Sequence, residues 1–381
     1  MTSVSNFIAQ ALDSEDDRCA LIGTIGNGRL GALTESTHTT PDVVRLHELL
    51  SEFRSMSVGQ VAMEVSSHGL DQGRVNAVKF NVAVLTNLGR DHLDYHGDLE
   101  SYKNAKKKLF LKDGISAAVV NLDDEFGCQL AVDLKDKIDV WGYTINDKNN
   151  CRLTGMKNIL RATDVETGSH GLSIHVESNY GSAEINSDLL GEFNVSNVLA
   201  TLAVLLIKGI AFDDAIKRLH QLKTVPGRVE AIRSVGKPLV VVDYAHTPQA
   251  LESVLATLKV TCSARLYCVF GCGGDRDSGK RPLMAAVAEQ YADEVILTDD
   301  NPRTENSDEI IEQIMYGFKD ASRVLVIKDR ARAIAHAIKA AGAEDIILLA
   351  GKGHESYQLI GENKVPFSDM QMARDCMGVA E

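Results

Sequence analysis

The sequence predicts an α/β fold in two domains, and three observations carry that prediction. From Leu239 to Ala350 short apolar runs alternate with helical patterns, which implies a doubly wound parallel sheet covered on both faces. A length of 381 residues exceeds what a single hydrophobic core usually serves. Pro226-Gly227 closes a helical stretch and punctuates the chain there, dividing residues 1–224 from 225–381.

The formal net charge of −13 speaks against a nucleic-acid surface or a basic membrane face. No apolar stretch reaches membrane-spanning length, and the N-terminus lacks a basic-then-apolar leader pattern. Seven cysteines make an odd number with no CxxC pair. Cys268 and Cys272 are four apart, one in an apolar run and one in a glycine loop, which disfavours zinc. Reduced thiols and a cytoplasmic location are expected.

Ser3 to Leu12 reads as an amphipathic helix, whose start exposes unpaired N–H groups and favours anions. Ala20 to Thr24 reads as a strand, followed by a glycine-rich turn through Gly31. The hydroxyl-rich loop Ser36 to Pro41 leads into a helix from Asp42 to Phe53 and is expected to supply its N-cap. Val61 to Val65 is a strand with Glu64 near its end. A carboxylate there is costly unless paired or metal-bound. Val82 to Asn87 is a second buried strand, running into Gly89 to His96. Glu64 and His92 therefore stand at the carboxyl ends of two predicted parallel strands, where a magnesium-nucleotide site would need them; a lone histidine there is otherwise structural.

The helix from Leu99 to Phe110 gathers Tyr102, Ala105, Leu109 and Phe110 on one arc, with Lys106 inside it. Such a lysine either snorkels to water or is chemically special. A strand from Ala117 to Leu122 comes next, then a β-rich segment from Asp139 to Ile185, an apolar helix through Leu206 and another from Asp213 to Leu222.

In the second half the predicted strands are 239–242, 266–270, 294–298, 323–327 and 346–350. Four of the loops at their carboxyl ends carry glycines or charges and should form one rim, where open α/β sheets bind ligands. Asp299-Asp300-Asn301-Pro302-Arg303 sets an anion three residues from a fixed cation, stiffened by Pro302. It is either a clamp for a zwitterionic amino-acid end or a solvated ion pair on a turn. GCGGDR alone is a weak signal, and GxGxxG is not met there, which disfavours a nicotinamide dehydrogenase.

Nine stretches then stand in order along nearly the whole chain: MEVSSHGL from Met63, NLGRDHLDYHG from Asn87, NAKKKLF from Asn104, GEFNVSN from Gly191, PGRVE from Pro226, VVDYAHTP from Val241, GCGGDRDSGKRPLM from Gly271, DDNPRTE from Asp299 and GKGHE from Gly351. Together they resemble the Mur ligases, in the branch that adds meso-diaminopimelate; folate and cyanophycin ligases fit DNPR and GKGHE less well. The resemblance implies a P-loop-type central ATPase domain plus a C-terminal doubly wound Rossmann-like domain. It also implies ATP and magnesium as cofactors, and UDP-N-acetylmuramoyl-L-alanyl-D-glutamate and meso-diaminopimelate as the partners of a monomer. By resemblance Glu64, His92 and Lys106, the last as a carbamate, hold magnesium and serve catalysis. Thr39, Thr40, Ser66, Gln72 and Arg74 hold the UDP-muramoyl dipeptide. Thr2, Asn194, Arg228 and Asp243 lie by the nucleotide. Arg276, Asp300, Asn301, Pro302, Arg303, Gly351 and Glu355 form the diaminopimelate pocket.

The chain departs from the family at its start. Thr2-Ser3-Val4-Ser5 matches the residues just after the family's P-loop lysine, so Met1 occupies that lysine's place. The central domain is therefore expected to be truncated, without its first strand and P-loop and without the family's uridine-binding domain. An unpaired sheet region and little or no ligase activity of this chain alone are expected; the alternative reading is a non-catalytic chain that binds substrate pieces. His38, Gly89 and Gln249 are smaller departures that touch local contacts only.

Overall fold

The computed structural model describes residues 1–15, 17–89, 92–146, 156–168 and 170–379. Arg90 and Asp91 of the NLGRDHLDYHG stretch, and part of the β-rich segment, lie outside them. The chain forms two units, Met1–Glu166 with Gly171–Lys223, and Thr224–Glu381 with Thr167–His170.

In the first unit α1 (Thr2–Leu12) buries Val4, Phe7 and Ala11, three and four residues apart as a helix face requires. The next strands are β1 (Arg18–Gly23), β2 (Gly26–Arg29) and β3 (Ala32–Thr34). The stretch expected as a glycine-rich turn is thus an antiparallel hairpin, because Gly26 and Gly28 pass close to the backbone of Thr34 and Ala32. α2 (Val43–Ser55) is capped by Asp42, which accepts from the Val44 and Arg45 N–H groups. This corrects the expectation that the hydroxyl loop caps it, and leaves those hydroxyls for other bonds. β4 (Val58–Met63) pairs parallel to β1, giving the order β3-β2-β1-β4.

After α3 (Ser67–Asp71) come β5 (Val82–Leu85), α4 (Leu93–His96), α5 (Leu99–Phe110), β6 (Ala117–Asn121), α6 (Glu125–Leu134) and β7 (Asp139–Thr144). β8 (Asn158–Gly168), β9 (Gly171–Ser178), β10 (Gly181–Ser187), α7 (Phe193–Ile207) and α8 (Phe212–His220) complete the unit. The second sheet runs β10-β9-β8-β7-β6-β5, parallel from β5 to β8. β4 and β5 each end their sheet. Both border an open cavity of about 460 Å³ that Met1, Val4 and Ile8 of the α1 end also line.

In the second unit β11 (Glu230–Ile232) is an antiparallel edge beside β12 (Leu239–Asp243). There follow α9 (Pro248–Thr261), β13 (Leu266–Phe270), α10 (Lys280–Tyr291), β14 (Glu294–Leu297), α11 (Ser307–Met315), β15 (Val324–Val326), α12 (Arg330–Ala340) and β16 (Ile346–Ala350). The sheet order is β11-β12-β16-β13-β14-β15, parallel from β12 onward. β12, β13 and β16 are buried at every residue, as central strands covered on both faces must be. A hairpin, β17 (Tyr357–Ile360) and β18 (Asn363–Pro366), and a last helix, α13 (Asp369–Met377), complete the chain's elements.

Cys19, Cys262, Cys268, Cys272 and Cys376 are free thiols. Cys128 is disulfide-bonded, which corrects the expectation of reduced thiols at that position. No helix among the described residues is long and apolar enough to cross a membrane.

Candidate functional site

The parallel register of β1 and β4 brings Glu64 beside the end of β1, where its N–H donates to Ile22 at 2.8 Å. The carboxylate is buried and receives three donors: Thr2 Oγ1 at 2.8 Å, the Thr24 N–H at 2.9 Å and Thr24 Oγ1 at 3.2 Å. Gly23 makes this possible, since a Cβ there would sit on the carboxylate. The hydroxyls of Thr24 and Thr39 are 2.9 Å apart. Thr40 Oγ1 donates to the Glu64 carbonyl and accepts from the Ser66 N–H, both at 2.9 Å. Arg74 donates from Nη1 to the Thr40 carbonyl at 2.8 Å and from Nε to Gln72 Oε1 at 2.8 Å. Thr2, Thr39, Thr40, Glu64, Ser66, Gln72 and Arg74 are therefore joined by hydrogen bonds within this unit.

His92 and Lys106 stand in a ring cluster. The His92 ring is 4.9 Å from that of His68 and 6.0 Å from that of Tyr102, edge-on in both cases. Lys106 Nζ lies 5.0 Å above the Tyr102 ring, a cation–π contact. The neighbouring lysines pair with carboxylates instead: Lys107 with Asp133 at 2.6 Å and Lys108 with Asp71 at 2.7 Å. Among the described residues no three of His, Cys, Asp and Glu converge on one cation position. The Thr2–Glu64 pair nevertheless suits magnesium, a hard cation that takes one or two carboxylates and completes its shell with phosphate oxygens and water. Asn194 is buried at the start of α7 and bonded to Leu190 and Asn197, so its amide holds the turn.

In the second unit the other candidates lie on the turn before β11 and on the loops after β12, β13, β14 and β16. Asp243 is buried and accepts from the Val229 and Ala245 N–H groups at 2.8 and 2.7 Å. Burial raises its pKa against these bonds and the Arg228 charge. The Arg228 guanidinium lies 5.1 Å over the Tyr244 ring.

Asn301 donates to Glu355 Oε2 at 2.9 Å, and its Oδ1 accepts from the Leu359 N–H at 2.9 Å. Asp300 is buried, its pKa raised first by desolvation, and its Oδ2 has no hydrogen-bond partner. Gly351 lies against that oxygen. Arg303 holds φ +51°, a conformation uncommon outside glycine. Its N–H donates to Leu359 and its carbonyl accepts from Gly361, which tie it to the β17–β18 hairpin; Nη1 donates to the Gly274 carbonyl at 2.8 Å. Pro302 is buried beneath this loop, while Arg276 is exposed on the β13 loop.

Three buried groups beneath these loops escape sequence reasoning. Lys352 is fully buried and donates to Glu355 Oε2 at 2.7 Å and Asn301 Oδ1 at 3.1 Å. Arg330 pairs with Asp369 at 2.6 Å and donates to the Ala350 carbonyl, both side chains being fully buried. A lysine between two glycines and an arginine opening a helix look like surface groups. The only signal was their closeness to the rim loops.

Residues 1–205 match the family described as Mur ligase middle domain, and residues 227–353 match Mur ligase, glutamate ligase domain. The chain belongs to the Mur ligase family. It is 47% identical over 376 residues to the UDP-N-acetylmuramoyl-L-alanyl-D-glutamate--2,6-diaminopimelate ligase of Coxiella burnetii, covering 99% of this chain and 76% of that protein. The protein of the same name from Pseudomonas aeruginosa is 48% identical over 380 residues, covering 100% and 76%. A solved structure of a ligase of this name superposes with a TM-score of 0.73 at 39% identity, covering 99% of this chain and 76% of that one. A folylpolyglutamate synthase of Mycobacterium tuberculosis, at 17% identity and a TM-score of 0.66 over 92% of this chain and 86% of that one, shares the fold. This chain is an ATP-dependent, amide-forming ligase by family.

Proposed function

We propose that the chain adds meso-diaminopimelate to UDP-N-acetylmuramoyl-L-alanyl-D-glutamate in cytoplasmic peptidoglycan precursor synthesis. The names of the relatives support this reading. The observation that carries it is the buried, unbonded Oδ2 of Asp300 in the Asp300–Arg303 loop. A buried carboxylate oxygen without a donor invites a ligand cation, and Arg303 three residues on offers a fork for a carboxylate. An amino acid carries both groups.

The reaction runs in two steps. The terminal carboxylate of the dipeptide attacks the γ-phosphorus of ATP, forming an acyl phosphate and releasing ADP. The amine of diaminopimelate, neutral when it reacts, attacks the acyl carbon; the C–N bond forms, the C–O bond breaks, phosphate leaves with its electron pair and takes up the proton that the nitrogen gives up. Thr39, Thr40, Ser66, Gln72 and Arg74 hold the UDP-linked substrate. Asp300, Asn301, Arg303 and Glu355 orient the amine, with Arg276, Pro302 and Gly351 completing the pocket. Arg228, Asp243 and Asn194 serve the nucleotide. Thr2 and Glu64, with His92 and a carbamylated Lys106, would hold magnesium, which when bound neutralises phosphate charge.

The test is phosphate release with ATP and each substrate omitted in turn. Release that requires both the UDP-linked dipeptide and meso-diaminopimelate supports the reading; release indifferent to the amine contradicts it.

A further inference from the structure

We propose that Lys352 is a positioning and selectivity residue for the amino-acid pocket, fixing the amide of Asn301 and cancelling the charge of Glu355. This rests on the reading that the Asp300–Arg303 loop takes diaminopimelate.

Lys352, Asn301 and Glu355 form a closed triangle. Lys352 Nζ is 2.7 Å from Glu355 Oε2 and 3.1 Å from Asn301 Oδ1, and Asn301 Nδ2 is 2.9 Å from the same Glu355 oxygen. An ammonium can only donate, so it dictates that Oδ1 of Asn301 faces inward. The Leu359 N–H, 2.9 Å away, makes the same demand. The amide nitrogen is thereby committed to the Glu355 side, and the proton it does not give to Glu355 is a donor suited to a ligand carboxylate.

Lys352 also sets the charge of the pocket, whatever the amide does. Lys352 is fully buried, and a buried ammonium persists only beside an anion. Glu355 supplies it. With that pair neutral, the loop itself offers one anion, Asp300, and one cation, Arg303, while the exposed Arg276 is screened by water. Removing the ammonium adds the uncompensated anion of Glu355 to whatever charge the pocket holds. The pocket then favours a ligand with one more positive charge, and lysine is diaminopimelate without its second carboxylate.

The experiment is calorimetric titration of the 381-residue chain with meso-diaminopimelate and with L-lysine, for wild type, Lys352→Met, Glu355→Gln and the double variant, each checked for folding by thermal melting. The wild type prefers diaminopimelate. Lys352→Met lowers the diaminopimelate-to-lysine affinity ratio at least about fivefold, the effect of one unscreened unit charge at this range being larger still. Lys352→Met/Glu355→Gln, neutral again, returns the ratio to within about twofold of wild type, a coupling that a purely structural role would not produce. Should Lys352→Met alone fail to fold, Glu355→Gln decides the matter, because its extra positive charge must raise the ratio. A folded Lys352→Met with the wild-type ratio, or a Glu355→Gln ratio that does not rise, overturns the proposal alone. A wild-type chain that binds neither amino acid overturns the underlying reading, and the proposal with it.

Discussion

The Oδ2 atom of Asp300 rests against the bare α-carbon of Gly351: a Cβ there would meet it at 2.5 Å, and Gly351 holds φ +113°. Only glycine satisfies both conditions without strain. Gly351→Ala is expected to lower stability by about 1–3 kcal/mol and to abolish diaminopimelate binding by displacing the Asp300 carboxylate. Denaturant melts and calorimetry check the two effects.

The same carboxylate weakens the fold it serves. Burial, opposed by Arg330 and Lys352, raises the Asp300 pKa above its usual 3.8. A carboxyl raised in the folded state holds its proton more tightly folded than unfolded, so stability is lost as pH climbs through the window above 3.8. Asp300→Asn removes that loss. It is expected to stabilise the chain by about 1 kcal/mol near neutral pH, with the gain fading as pH falls toward the ordinary carboxylate value, while binding of the amino acid disappears. Thermal melts across pH test the sign.

Arg330 and Asp369, both fully buried and 2.6 Å apart, tie α12 and α13 beneath the rim. Breaking the pair leaves one charge buried alone. Arg330→Met is expected to cost about 3–5 kcal/mol, and Arg330→Met/Asp369→Leu to recover part of it. Because Arg330 also donates to the Ala350 carbonyl at 2.9 Å, hydrogen exchange should quicken at Gly351 and Lys352.

Glu64 receives Thr2 and both polar groups of Thr24. Glu64→Gln keeps an acceptor oxygen and removes the charge. Stability should change by under about 1 kcal/mol, whereas any substrate-dependent phosphate release should fall by about a hundredfold or more. Turnover at the wild-type rate would remove Glu64 from the phosphate machinery.

Much of this was legible in the sequence. The pattern of apolar runs located β13 and β16 to the residue, because central parallel strands are apolar throughout. Glu64 stood out because a carboxylate ending a buried strand demands partners, although Thr24 as its neighbour depends on the β1–β4 register, which is long-range. β18 was missed because every residue of it is exposed, leaving no alternation to read. Yet that hairpin holds Arg303 in its strained conformation. Lys352 was missed for a related reason: burial of a lysine is decided by what folds over it.

Arg303 is placed to select the amino acid by gripping a carboxylate that lysine lacks. The direct measurement is calorimetric titration of wild type and Arg303→Met with meso-diaminopimelate and L-lysine. Arg303→Met is expected to weaken diaminopimelate at least about tenfold, a charge-assisted pair being lost, and to leave lysine within about twofold. Equal losses for both amino acids, or unchanged diaminopimelate affinity, would contradict it.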